Sequence, residues 1–140
     1  MKELQVVAAV VTDGHEILCV QKGATPYAYT SYKYEFPGGK IEKGETPQQA
    51  LKREMREELD CEVTVGPLLV SVKHSYPDFA ITLHVYLCRT TGRQLSLKEH
   101  VACQWLSCGR LRTLDWAEAD LKVVQSLLEM DKPPCPTQAE

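Results

Sequence analysis

The sequence predicts an α/β protein, a mixed β-sheet sandwiched between α-helices, from the order in which two kinds of apolar pattern alternate. Short apolar runs with strand character fall at residues 4–11, 17–20, 81–87 and 101–106. Two stretches with helical periodicity, 47–59 and 117–130, separate or follow them. A chain of 140 residues suits one domain, placed at 1–131, with a disordered tail predicted over the proline-rich 132–140.

Each element has a local reason. Asp13-Gly14 between the first two runs is a hairpin signal. Residues 23–33, GATPYAYTSYK, are polar and rich in tyrosine, which predicts a long mobile loop. Thr46-Pro47 is a helix start, with Thr46 as cap and proline at the first helical position. Leu51, Met55 and Leu59 then form the buried stripe of that helix. Residues 61–73 read as extended structure broken at Gly66-Pro67. Tyr76-Pro77-Asp78 is a turn into the cleanest alternation of the chain. There Ile81, Leu83, Val85 and Leu87 share one face, and Thr82, His84 and Tyr86 the other. In the last helix Leu121, Val124 and Leu128 are expected to face inward.

The chemistry concentrates in GKIEKGETPQQALKREMREELDC, residues 39–61. Glu54, Glu57 and Glu58 stand at i, i+3 and i+4, on one face of a helix with about 3.6 residues per turn. Like charges so placed repel unless a cation neutralises them. Grouped carboxylates suit magnesium or manganese, ions that commonly bridge to substrate phosphates. Gly38 and Gly39 let the backbone approach a ligand closely.

Gly39, five residues, Glu45, seven residues and then Arg53-Glu54-Met55-Arg56-Glu57-Glu58 resembles the Nudix box. Asp60 departs from the glycine that normally ends that helix in the left-handed conformation. Aspartate tolerates this conformation better than most residues, so a slightly costlier cap is expected and no loss of chemistry. The resemblance extends over most of the chain to the MutT-type branch, through VVAAVVTDGHEILCVQKG, YEFPGGKIE, EHVACQWLS and DWAEADLKVVQSLLE. It implies the Nudix fold and a nucleoside triphosphate pyrophosphohydrolase acting on cytidine-type or oxidised nucleotides such as 8-oxo-dGTP.

By the same resemblance Glu54, Glu57 and Glu58 become magnesium ligands, with the Gly38 carbonyl assisting, and Glu54 is alternatively the base that takes a proton from water. Arg53 orients the glutamates, and Glu45 braces the turn through a salt bridge to Arg53. Glu99, in the polar segment SLKEH, stands where MutT-like enzymes carry a loop glutamate that ligates metal or acts as base. A solvated surface glutamate is the competing reading. Lys22 matches a phosphate-binding position, or it simply blunts a strand end. Lys40 follows the glycines and can meet a phosphate. Phe36 forms a wall of the base pocket or part of the core. Asp120 matches a position that reads the base edge, or is a first-turn residue favoured by the helix dipole. Tyr27, Tyr29, Tyr32 and Tyr34 either stack on a base or pack locally, and His100 reads as a loop residue.

A net charge of −3 argues against general affinity for polynucleotides and allows a small anionic substrate escorted by metal. No apolar run has the length of a membrane span. The six cysteines include no CxxC pair, so buried free thiols in a reducing cytoplasm are expected. A monomer or weak homodimer is expected. Two rivals remain. Pro77 falls about where ADP-ribose hydrolases of the family carry a proline, though turn chemistry alone explains it. A non-catalytic nucleotide sensor is the other; sensors generally lose charged box residues, and all three helix glutamates are present.

Overall fold

Strand β1 (Lys2–Thr12) is the axis of the molecule, because both of its edges are paired. The computed structural model describes residues 2–130 and Pro134. Along one edge β1 runs parallel to β6 (Phe79–Arg89), from Lys2 opposite Phe79 to Thr12 opposite Arg89. Its other edge is shared by antiparallel partners: β2 (Ile17–Gln21) at the hairpin end and β4 (Gly38–Lys40) further back. β2 in turn pairs with β3 (Tyr34–Glu35) and β7 (Ala102–Leu106), and β6 with β5 (Thr64–Ser75). The Asp13-Gly14 signal is a hairpin as expected, with Gly14 at φ 101°.

Helices α1 (Pro47–Leu59) and α2 (Glu118–Leu128) cover opposite faces of this mixed sheet. Val7, Ala9 and Val11 of β1 pack with Ala50, Leu51, Met55 and Leu59 of α1. Ala8 and Val10, one residue out of phase, pack with Val123, Val124 and Leu127 of α2. A strand buried on both sides carries no polar face, which is why this run of sequence is continuously apolar. Each fully buried aliphatic side chain of this kind contributes about 1.5–3 kcal/mol relative to exposure.

α1 forms over the expected residues for local reasons. Thr46 accepts from the Gln49 amide at 3.1 Å while the Gln49 side chain accepts from the Thr46 amide at 2.9 Å. Asp60 closes the helix in the left-handed conformation, φ 51°, ψ 41°, with its amide directed at the carbonyls of Arg56 and Met55.

Elsewhere the structure corrects the reading. In α2 the buried residues are Ala119, Asp120, Val123, Val124 and Leu127, while Leu121 is 37% exposed and Leu128 only half-buried. Val124 faces inward as expected, and Val123 and Leu127 complete the buried face one position before the expected Leu128. Gly66-Pro67 does not break β5: pairing with β6 continues across irregular register between Val65, Leu68 and Val70. The two short strands β3 and β4 and the 3-10 helix Cys108–Thr113 have too few residues to show a period. Segment 23–33 is a long loop, but hydroxyl bonds from Thr25 to Thr30 at 2.8 Å and to Ser31 at 3.1 Å restrain the expected mobility. Cys19, Cys61, Cys88 and Cys103 are free thiols, whereas Cys108 is disulfide-bonded, against the expectation of thiols throughout. The predicted tail falls outside the described residues, Pro134 apart. No helix among the described residues is long and apolar enough to cross a membrane.

Candidate active site

The glycine turn and the glutamate helix fit each other because two side chains are missing. A Cβ on Gly38 would collide with the Val7 carbonyl and lie 2.8 Å from the Ala8 Cα, so the pairing of β4 with β1 requires glycine. A Cβ on Gly39 would occupy the space held by the Glu54 carboxylate. α1 is thereby pressed against β4 with a carboxylate between them.

Arg53 organises that corner. Its Nε and Nη2 donate to the two Glu45 carboxylate oxygens at 2.7 and 3.0 Å, and Nη2 also donates to the Lys40 carbonyl at 3.1 Å. Nη1 donates to Glu54 at 2.9 Å and Glu57 at 3.3 Å. Glu45 also accepts the Glu42 amide at 2.9 Å, closing the turn, and Arg53 holds the Glu45 carboxyl below its usual range. One guanidinium thus bonds residues 40, 45, 54 and 57.

The loop after β6 docks on the end of α1, where the Ser96 amide donates to the Leu59 carbonyl at 2.8 Å and the Lys98 amide to the Glu58 carbonyl at 3.2 Å. This brings Glu99 close enough to Glu58 to act on it electrostatically. The Glu58 carboxyl is pushed up to about 9, chiefly by burial, then by its hydrogen bond with Glu54 and that group's charge, then by Glu35 and Glu99. Glu54 and Glu58, hydrogen-bonded to each other with Glu99 nearby, form an oxygen-only donor set suited to a hard divalent cation. Among the described residues, no three His, Cys, Asp or Glu side chains are already drawn to a common ligating point.

These residues border a cavity of about 480 Å³. Glu58, Glu99, Gly38, Gly39, Lys40 and Lys22 line it, as do Phe36 and Asp120. Glu54 lies behind Gly39, and Glu57 is largely exposed and outside the lining. Asp120 is only 7% exposed, and its carboxylate accepts the Phe36 amide at 3.0 Å. Burial foremost, and then the Glu35 charge, pushes its carboxyl up to about 8. Phe36 stacks on Trp116 in the core, centroids 4.7 Å apart, and also borders the cavity.

Glu35 is the residue sequence reasoning passed over. It pairs with Lys22 at 3.5 Å and with His100 Nε2 at 2.9 Å, so three separate segments meet on one carboxylate. His100 stands in the loop before β7, as expected, yet its side chain is only 4% exposed and lines the cavity. The available signal was the position of Glu35 one residue before Phe36-Pro37-Gly38-Gly39. The loop tyrosines are not in the cavity lining. Tyr27 stacks on Tyr29 and Tyr29 on Tyr76, each at 5.2 Å, Tyr34 packs edge-on against Trp116, and Tyr32 is 56% exposed. Tyr76, expected only as part of a turn, and Phe79 are the aromatic rings that do line it, besides Phe36.

The NUDIX domain profile matches residues 2–127. The chain is 34% identical to an 8-oxo-dGTP diphosphatase of Escherichia coli over 128 residues, 91% of this chain and 98% of that one. It is 33% identical to a CTP pyrophosphohydrolase of the same organism over 130 residues, 93% and 95% of the two. Among solved structures it is similar to the E. coli ORF135 protein, with a TM-score of 0.75, 33% identity and coverage of 91% and 90%. A MutT protein from Methanosarcina mazei superimposes with a TM-score of 0.80 at 18% identity, covering 94% and 97%, which speaks to the fold alone. With its glycine turn, its Arg53-centred glutamate helix and a match spanning nearly its whole length, the chain belongs to the Nudix hydrolase family.

Proposed function

We propose that this hydrolase cleaves nucleoside triphosphates to the monophosphate and pyrophosphate with magnesium, manganese being a possible substitute, and that cytidine-type or oxidised nucleotides such as 8-oxo-dGTP are its substrates. The observation that carries this reading is the make-up of one cavity: carboxylates, glycines and lysines border it together with the Phe36 ring and the buried Asp120 carboxyl. A triphosphate needs the first set and a base the second. The names of the 8-oxo-dGTP and CTP hydrolases that the chain resembles support the same substrate class.

In this reading Glu54, Glu57, Glu58 and Glu99, with the Gly38 carbonyl, hold the divalent ion. When bound, such an ion neutralises phosphate oxygens and lowers the pKa of an attacking water. Water adds to a phosphorus of the anhydride that joins the first two phosphates, that bond breaks toward the leaving phosphate, and Glu54 or Glu99 accepts the proton water gives up. Arg53, itself held by Glu45, fixes the directions of Glu54 and Glu57. Lys22 and Lys40 meet phosphate oxygens, and Gly39 leaves room for the chain to approach them. Phe36 forms one side of the base pocket. Asp120 reads the base edge: ionised it accepts from an exocyclic amino group, and protonated it donates to a carbonyl. The enzyme acts on free nucleotides in the cytoplasm.

The test is metal-dependent turnover, with products resolved, on CTP, dCTP, 5-methyl-dCTP, 8-oxo-dGTP, dGTP and ADP-ribose. Monophosphate and pyrophosphate from a cytidine-type or oxidised triphosphate is the expected result. Turnover confined to ADP-ribose would overturn the substrate assignment, and binding without turnover across the panel would overturn catalysis.

A further inference from the structure

Helix α2 begins without the usual side-chain cap. Ala117 occupies the capping position and supplies no side-chain bond, so the first-turn amides depend on other partners. The Ala119 amide donates to the hydroxyl oxygen of Tyr76 at 3.1 Å, across 43 residues of sequence. Ala119 immediately precedes Asp120, and Tyr76, Ala119 and Asp120 all line the cavity.

The Tyr76 ring is in turn held on several sides. It stacks on Tyr29 at 5.2 Å and 11°, packs against Phe79 at 5.1 Å and meets His74 edge-on at 4.5 Å. His74 Nε2 lies 3.1 Å from the Glu118 carboxylate, so β5 and Tyr76 just beyond it touch α2 at two successive residues before Asp120. Tyr76 is 5% exposed, and a buried ring in such a setting gives its hydroxyl oxygen one place to stand. Asp120 is consequently fixed twice: its carboxylate by the Phe36 amide and its backbone turn by the Tyr76 hydroxyl.

We propose that Tyr76 is a positioning residue for nucleotide selection, its hydroxyl acting as the cap that α2 lacks and thereby setting how the Asp120 carboxyl faces the base. The proposal rests on the reading of Asp120 as the base-contacting group. Tyr76 acts on Asp120 through the helix, leaving the phosphate and metal end untouched. Loss of the hydroxyl therefore alters which nucleotide is preferred, and enters through KM, while kcat on the preferred substrate stays nearly constant.

The experiment compares wild type, Tyr76→Phe, Asp120→Asn and the double variant, reading kcat and KM on the preferred nucleotide and on one with a different base. Tyr76→Phe keeps the ring, and is expected to lower the preference about 3- to 10-fold, mainly by raising KM. In the Asp120→Asn background it is expected to change the preference no further, because both substitutions act on one group. An unchanged preference in Asp120→Asn refutes the base reading itself. A changed preference there beside an unchanged one in Tyr76→Phe, or multiplying effects in the double variant, refutes the role of Tyr76 alone. Amide exchange of the wild-type protein supplies a reading that needs no variant: a slowed Ala119 amide is expected, and one exchanging at the rate of a free first-turn amide overturns the proposal.

Discussion

The two ends of the cavity solve the same problem, a carboxyl group withdrawn from water, by different means. At the α1 end Glu45, Arg53, Glu54, Glu57 and Glu58 lie within 14 residues of chain; one guanidinium bonds Glu45, Glu54 and Glu57, and Glu58 bonds to Glu54. At the α2 end no cationic side chain among the described residues bonds to Asp120. Its partners are the Phe36 amide and, through the helix, the Tyr76 hydroxyl, which come from two other segments. Burial is the largest influence on both Glu58 and Asp120 and the Glu35 charge raises both, yet their hydrogen-bond partners differ: Glu58 bonds to another carboxyl, while Asp120 accepts a backbone amide. A crowded set of carboxylates suits an exchangeable cation, and a single carboxyl fixed by neutral donors suits the shape and hydrogen-bonding edge of a base. The contrast separates a part of the site that serves any triphosphate from a part that distinguishes among them.

Removing a donor from the first part is expected to have the largest effect. Glu58→Gln should lower kcat/KM at least about 100-fold on every nucleotide alike, with the metal requirement shifted to higher concentration. Kinetics across a magnesium titration check this, and a loss confined to one base would erase the distinction between the two ends. Asp120→Asn keeps the acceptor for the Phe36 amide and should instead change the ratio between two nucleotides, by about 10-fold, with a smaller change in kcat on the better one. Equal loss on all substrates would place Asp120 with the general machinery.

A smaller and purely thermodynamic difference follows from the same carboxyls. Glu58 and Asp120 bind protons more tightly folded than unfolded, so protonation favours the native state. Their contribution is complete below the ordinary values of 4.5 and 3.8 and is lost as pH rises through about 9 and about 8. In chelator, the melting temperature should therefore fall between about pH 5 and about pH 9. Glu58→Gln should flatten part of that fall, and magnesium should offset it at alkaline pH in the wild type. A melting temperature that rises over this range would contradict the assignment. The smallest effect is expected from Thr46→Ala, which removes one side of the cap before α1 and should cost about 1 kcal/mol of stability in denaturant unfolding, with kcat unaltered. A large loss of activity there would mean that the helix start, and not only the Arg53 cluster, sets the glutamate positions.

How much of this was legible in advance follows the same division. The limits of α1, its cap and its left-handed end at Asp60 were readable because each depends on neighbours a few residues away. So was the shared face of Glu54, Glu57 and Glu58, since a helix fixes which residues stand together, whereas the Arg53–Glu45 brace was expected from the family resemblance. Glu35 and His100 were not, because their meaning comes from a hydrogen bond across 65 residues. The inward face of α2 was misjudged at Leu121 for a similar reason: its amphipathic stripe is broad, and only the sheet beneath it selects the rows that pack.

The sequence by itself determined the family, the carboxylate-bearing helix and the apolar run of β1, because local spacing, backbone conformation and apolar patterning are properties of neighbouring residues. The tertiary structure alone decided that Glu99 reaches Glu58, that Lys22 and His100 share Glu35, and that Tyr76 caps the helix bearing Asp120. Those contacts close loops of tens of residues, and which side chains meet depends on strand register and on how the helices pack against the sheet, neither of which any short stretch of the chain encodes.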